Sequence, residues 1–281
     1  HNRTFSSANY SVIVLANDNV KAVISQVTGT STTQVTVVFS DAGGSNVDPS
    51  SGFFYACFDM LCDIGGGPRV VSIQWAVNFH KIFTAFLIYA MMVYYGNFST
   101  VAWVYLGLHG IYGYTWLIKD LAYPNPAFHK RLTLLGVFLL YAGLIAWYWL
   151  MPWLLIARHI EPAGFVVFLA VALHTLGVTF MATADVQKNL LVRYRPGLIT
   201  DGVCAYTRNP NYLGEIMIYS AYALLASHWI AWAILAYACV CVFFPRMLVK
   251  DASISRYPGF EEYRARSGLL IPWAFFNGRA I

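Results

Sequence analysis

Charge is what this sequence has least of. Only 11% of its 281 residues are Asp, Glu, Lys or Arg, against a usual share near 25%. That excludes an ordinary soluble globule, and with 58% hydrophobic residues it also excludes a disordered chain. Cysteine is sparse as well. The five cysteines form no disulfide framework and no zinc pattern, which would need further ligands close by. Cys239 and Cys241 sit in an apolar run and Cys204 stands alone in a loop, while Cys57 and Cys62 could pair or lie reduced. No aromatic-interleaved basic patch suggests a nucleic-acid partner. The chain begins at His1 without Met, which reads as a processed or trimmed chain, and no charged segment followed by a short apolar core marks a signal peptide.

What is present divides in two. Over residues 1–70, "YSVIVLAND", "VKAVISQVTG" and "TQVTVVFSD" are β-branched runs separated by turn residues, followed by the breakers "DAGGSNVDPSSG" and "DIGGGPR". These predict a small β-rich extramembrane appendage. Over residues 71–281 the apolar stretches lengthen, predicting an all-α membrane bundle of about six transmembrane helices. The spans fall at 74–95, 101–118, 132–157, 163–183, 212–227 and 229–249, the fifth short enough to be re-entrant. The basic segments "KDLAYPNPAFHKR", "DVQKNLLVRYRPG" and the tail from Arg246 then share one face, and the rule that positive loops stay inside makes that face cytosolic. An even span count puts both termini there, in the endoplasmic reticulum or another organelle membrane. The sequons at Asn2, Asn9 and Asn97 cannot all be glycosylated in such a topology.

The stretch "TRNPNYLGEIMIYS", Thr207 to Ser220, concentrates polar groups where lipid begins. Asn209 suits a helix N-cap and Pro210 the first helical position. The free N–H groups there, beside the Arg208 fork, predict an anion site. Asn211, Tyr212, Glu215 and Tyr219 share one helical face. A carboxylate in an apolar helix is expensive and faces a polar cavity or a partner. One reading of Glu215 is a pin to a loop Arg, but a pin needs one charge and this face carries a cluster, so a pocket is expected. Asp185, Gln187, Lys188, Arg193 and Arg195 follow the fourth span, and Lys250, Asp251, Tyr263, Arg264 and Arg266 follow the sixth. His80-Lys81 and His174 read as snorkelling groups or as partners of a neighbouring helix.

"ADVQK", "TRNPNYLGE" and "RYPGFEEYRARSGLLIPW", with "LHGIYGYTWLIKDLAYPNP" upstream, resemble the steroid 5α-reductase-like family with the DUF1295 domain, over roughly Val101 to Trp273. The wider group holds sterol reductases and, more distantly, isoprenylcysteine carboxyl methyltransferases, many members having His where this chain has Asn209. The resemblance implies a membrane pocket open to the cytosolic face, holding NADPH in reductases or S-adenosylmethionine in methyltransferases. Carried over by position, Asp185, Gln187, Lys188, Arg208, Asn211, Tyr212, Glu215, Tyr263 and Arg264 would line the cofactor site, with Arg193 and Arg195 as further phosphate partners. His109, Tyr112 and Tyr114 are candidates for the acid at a substrate carbonyl, and Glu215 is counted with them as catalytic. No metal is implied.

Three functions follow as expectations. The first is an NADPH-dependent reductase of an activated C=C bond in a lipid or steroid-like substrate. The second is a lipid or prenylcysteine-type methyltransferase using S-adenosylmethionine. The third is a non-catalytic subunit of a larger membrane assembly, docking protein neighbours through the edge of its amino-terminal sheet.

Overall fold

In this computed structural model the described residues are 3–4, 20–27, 34–41, 61–124, 126–195 and 197–272. Asn2, Asn9, Cys57, Trp273 and the first expected strand lie outside them. The chain divides into His1–Cys57 and Phe58–Ile281.

In the first unit, strands β1 (Arg3–Thr4), β2 (Val20–Val27) and β3 (Gln34–Asp41) form an antiparallel sheet of order β1-β3-β2. The β2–β3 register runs from Val20 opposite Asp41 to Val27 opposite Gln34. The second and third β-branched runs thus become strands.

The second unit is helical. Strand β4 (Val71–Ser72), paired with β5 (Arg131–Leu132), leads into α1 (Ile73–Tyr95). Ser72 caps α1 by accepting from the Trp75 amide at 3.2 Å. Helices α2 (Thr100–Tyr105) and α3 (Ile111–Ala122) are joined by a π-turn, Leu106–Gly110. Then come α4 (Leu134–Gly143), a 3-10 turn (Ile145–Trp149), α5 (Leu150–Ala157) and α6 (Gly164–Tyr194). Helix α7 (Pro210–Ala226) turns at Ser227 into α8 (Trp229–Ala238), which passes through a second π-turn, Cys239–Phe243, into α9 (Phe244–Ile254). The short α10 (Phe260–Arg266) completes the described chain.

Among the described residues, three helices are long and apolar enough to cross a membrane: Ile73–Tyr95, Gly164–Tyr194 and Trp229–Ile254. The pair α4 and α5, bent by 44° at its break, makes a fourth if counted as one span. The protein is an integral membrane protein on this basis, with three or four of the six expected spans meeting that measure among the described residues. The expected second and fifth spans form as helices and fall outside that set for physical reasons. The stretch Thr100–Ala122 carries His109, Lys119, Asp120 and several tyrosines, and α7 has only 17 residues. Helix α7 is also the inner helix, with Ile218, Ala221, Tyr222, Ala223, Leu225 and Ala226 fully buried. A helix surrounded by protein can be short and polar because its neighbours, not lipid, satisfy it.

Helix α7 packs on α6 through two glycines. A Cβ on Gly177 would lie 2.6 Å from the Gly214 carbonyl oxygen, and one on Gly214 2.5 Å from that of Gly177. Membrane helices use small residues in this way to bring backbones together. Gly214→Ala is therefore expected to force α6 and α7 apart, at a cost of about 1–3 kcal/mol for overpacking. A lowered midpoint of thermal unfolding in detergent checks this, and an unchanged midpoint would mean that the crossing relaxes freely.

The sequon at Asn97 is closed off. Its side chain is buried, donating to the Ile156 carbonyl at 3.0 Å and accepting from the Ser99 amide at 3.2 Å.

Candidate functional site

The polar side chains of α1, α3, α6, α7 and α9 converge at one end of the bundle. On α1, Gln74, Asn78 and Lys81 stand at helical spacing and share a face. Gln74 and Asn78 both donate to the buried Asp120 carboxylate at 2.7 Å, and Asn78 accepts from the Trp116 indole N–H at 3.2 Å. Trp116 is thereby fixed as a wall. Gly113 lets α3 lie against α1 here, since a Cβ at that position would run into the Lys81 carbonyl.

Lys81 is buried and donates to the Tyr219 hydroxyl at 3.0 Å. Its ammonium lies 4.3 Å from the Tyr112 ring centre and 5.1 Å from that of Trp116. Aromatic faces attract a cation, which helps to hold a charge out of water. The Tyr219 ring stands edge-on to that of Tyr112 with centroids 6.2 Å apart, and Tyr112 donates to the Met181 sulfur at 3.7 Å. The row Lys81–Tyr219–Tyr112 ends there.

Beside this row is a cavity of about 100 Å³ whose lining includes His80, Lys81, Trp116, Tyr148, Glu215 and Tyr219. Glu215 faces it, as the helical-face reading predicts, under the charges of Lys119, Lys81, Asp185 and Arg246. The basic partners come from α1, α3 and α9; Lys188, Arg193, Arg195 and Arg208 are not among them. Lys119 pairs with Asp185 at 2.6 Å and lies 4.2 Å from the Trp116 ring centre. Tyr212 is in hydrogen-bond contact with Arg246. Asn211 is half-buried on the first turn of α7.

The remaining expected residues serve a second cluster. Arg208 is only 7% exposed and its fork is turned inward. Nε donates to Asp251 at 2.6 Å and one terminal nitrogen to the Ser267 carbonyl at 2.5 Å, while the Arg208 carbonyl accepts from Lys250 at 2.7 Å. The fork expected to face an anion is committed to its own chain. Asn209 stands at the N-cap position and Pro210 opens the helix, but the Asn209 side chain makes no cap; it donates to the Leu269 carbonyl at 2.9 Å. Thr207 donates to the Leu270 carbonyl at 2.8 Å, and Tyr263 to that of Cys204 at 2.7 Å. Burial raises the Tyr263 phenol and the Cys204 thiol above their ordinary values, so both stay protonated near neutral pH.

Gln187 holds the next loop, donating to the Asp201 carbonyl at 2.8 Å and accepting from the Val203 amide at 3.1 Å. Arg195 pairs with Asp201 at 2.8 Å on the surface, a hydrogen bond that lowers the Asp201 carboxyl below its usual range. Lys188 and Arg193 are exposed. Lys188 acts electrostatically on Lys250 and Cys204. Arg264 is exposed, 4.0 Å from Glu261. A wider groove of about 480 Å³ is lined by Leu198, Thr200, Gly259, Glu262, Tyr263 and Arg266. Its lining includes none of Lys81, Glu215 and Tyr219, so the smaller cavity is the candidate for chemistry.

Of the three residues offered as the acid, only Tyr112 joins the site, behind Tyr219. Tyr114 is exposed. His109 is buried among aromatics, stacked on Tyr222 at 4.1 Å and 3.3 Å from the Tyr105 hydroxyl. The sequence reading missed Lys81 at the centre. Its legible signal is the polar stripe Gln74–Asn78–Lys81, which a snorkelling lysine would not need.

Comparison with curated proteins found no match. Residues 69–266 match the family model described as "Protein of unknown function (DUF1295)". The match begins before the Val101 start of the resemblance and so takes in α1 with Lys81. With most of its length covered, the chain belongs to the DUF1295 family.

Proposed function

We propose that the protein is a membrane reductase that uses NADPH to saturate a C=C bond conjugated to a carbonyl in a lipid-like substrate. The observation that carries this reading is the buried Lys81–Tyr219 pair on the wall of a small, mostly apolar cavity. A phenol lining such a site can give its proton to a substrate oxygen, and an ammonium already in place balances the phenolate left behind. The Tyr112 ring, edge-on to that of Tyr219, helps to hold the phenol in position. Glu215 offsets the charge of Lys81 and Lys119 within the cavity. NADPH, when bound, would supply a hydride to the carbon remote from the carbonyl. A hydride at that carbon and the Tyr219 proton on the oxygen would give an enol, whose return to the ketone leaves the C=C bond saturated, and Lys81 is placed to return a proton to Tyr219.

The donor set fits an anionic cofactor better than a cationic one. Lys119 and Arg246 bear on the cavity, and Lys188 and Lys250 lie near each other beyond it. The cavity is well below the roughly 300–1,000 Å³ usual for ligand pockets. It suits the reacting head of a substrate, with the phosphates of NADPH held by Lys119, Arg246, Lys188 and Lys250. S-adenosylmethionine suits it less: the aromatic walls and the carboxylate would welcome a sulfonium, but the Lys81 ammonium already lies over those rings and repels a second cation.

The test is consumption of NADPH by purified protein in mild detergent, with an alkylated cyclohexenone as substrate and S-adenosylmethionine as control. Enone-dependent oxidation of NADPH is expected. Methyl transfer without NADPH use would overturn the reading in favour of a methyltransferase, and a folded preparation binding neither cofactor would leave a structural subunit.

A further inference from the structure

The proposed reaction gives the buried Asp120 no task. Its carboxylate accepts from the side-chain amides of Gln74 and Asn78, both at 2.7 Å and both on the same oxygen. These donors stand one turn apart on α1, on the stripe that ends at Lys81. Asn78 in turn accepts from the Trp116 indole N–H at 3.2 Å. It thus bridges two residues of α3, Asp120 and Trp116, from the helix that carries Lys81.

The direction of this bridge is fixed at both ends. An amide presents an acceptor on one side and donors on the other, whereas a carboxylate oxygen accepts and an indole N–H only donates. Asn78 therefore has one orientation that satisfies both neighbours. Turned over, it would set oxygen against oxygen and N–H against N–H. Hydrogen bonds to a carboxylate are stronger than those between neutral groups, and bonds in series polarise one another.

What the bridge holds is an indole. Phe128 stacks on Trp116 with centroids 6.3 Å apart, and a stacked ring can still slide in its plane. The N–H bond to Asn78 sets where it stops. There the ring centre lies 5.1 Å from the Lys81 ammonium and 4.2 Å from that of Lys119. Both distances are inside the roughly 6 Å over which an aromatic face attracts a cation. Lys81 needs such a guide, because a lysine is a point charge on a flexible stem, and its bond to Tyr219 uses one of three rotatable donors.

We propose that Asn78, anchored by Asp120, is a positioning residue: through Trp116 it keeps the Lys81 ammonium on the Tyr219 hydroxyl. The consequence for catalysis rests on the reductase reading; the placement of Lys81 does not.

Placement and turnover are measured separately. The hydroxyl-bearing carbon of Tyr219 is followed by NMR of protein labelled at tyrosine Cζ, in detergent and without nucleotide, with its signal assigned from Tyr219→Phe. Lys81→Met marks where that signal lies once the ammonium is gone. Asn78→Leu removes the bridge, and Trp116→Phe keeps a ring that cannot be tethered. Each is expected to move the signal toward its Lys81→Met position, and the double variant to move it no further than either single one. In the enone assay both single variants should lower kcat about tenfold to a hundredfold, the scale of a small misplacement, with KM changed by less than about threefold. A Tyr219 signal that keeps its wild-type place in both single variants would overturn the proposal. Additive shifts in the double variant would overturn it too, since Asn78 would then act by another route. If Asn78→Leu does not fold, Asp120→Asn takes its place, because it keeps the shape but no longer dictates which way the Asn78 amide faces. A moved signal without enone turnover by wild type sinks the reductase and leaves the bridge; turnover with an unmoved signal does the reverse.

Discussion

Lys81→Met is expected to lower kcat for enone reduction by about a hundredfold to ten-thousandfold, the usual range for losing a positioned acid–base group. The substitution leaves an unbranched chain of similar length among Tyr112, Trp116 and Tyr219, so packing is retained. What disappears is the ammonium 3.0 Å from the Tyr219 oxygen. Without it, a phenolate formed during proton transfer would lose the one side chain that donates a hydrogen bond to the Tyr219 oxygen in this structure. Tyr219→Phe removes the proton itself and should cost a similar factor. Because the two side chains act as one unit, the double variant should be scarcely slower than either single one. KM for the enone should change little, since the effect lies in the transition state. Activity of both single variants within threefold of wild type would rule out this pair as the acid.

The second large effect is on stability. Arg208→Ala removes a guanidinium that is 7% exposed and leaves Asp251, whose side chain is 17% exposed, without its 2.6 Å partner. Breaking a buried ion pair from one side costs about 3–5 kcal/mol, because the remaining charge is uncompensated. The Ser267 carbonyl loses its donor too, so the Ser267–Leu270 segment is the first place expected to loosen. Thermal unfolding in detergent, with limited proteolysis of the tail, measures both consequences. The double variant Arg208→Ala, Asp251→Ala should recover part of the loss by removing the orphaned carboxylate. A fork serving a cofactor phosphate predicts the opposite pattern: normal stability, with nucleotide affinity down about tenfold to a hundredfold for one lost charge-assisted bond.

Arg208 and Lys81 show what can be read along a chain and what cannot. The R-N-P opening of α7 is legible from local chemistry, because Pro210 suits a first helical turn whatever surrounds it. Whether the fork beside it faces a ligand or the protein depends on Asp251 and Ser267, some 43 and 59 residues away. Glu215 is legible for a related reason: a carboxylate inside an apolar helix has to face something polar, so its burial toward a cavity follows from solvation alone. The identity of its partners does not follow, and Lys119, Lys81 and Arg246 come from three other helices. Lys81 looks like a snorkelling lysine as long as α1 is considered alone. It becomes a site residue only when α7 places Tyr219 against it, 138 positions later.

By itself, the sequence determined the membrane-embedded helical class, the strands at 20–27 and 34–41, the family, and the fact that polar groups gather at one end of the bundle. Those properties rest on composition, period and local backbone preference, which every short window carries. Tertiary structure decided which basic groups meet Glu215, that Tyr219 rather than Tyr114 or His109 faces the cavity, and that Arg208 clamps the tail. Each of these depends on which helix lies beside which. That is set by close crossings such as Gly177 on Gly214 and Gly113 on Lys81, where the absence of one carbon atom brings two backbones into contact.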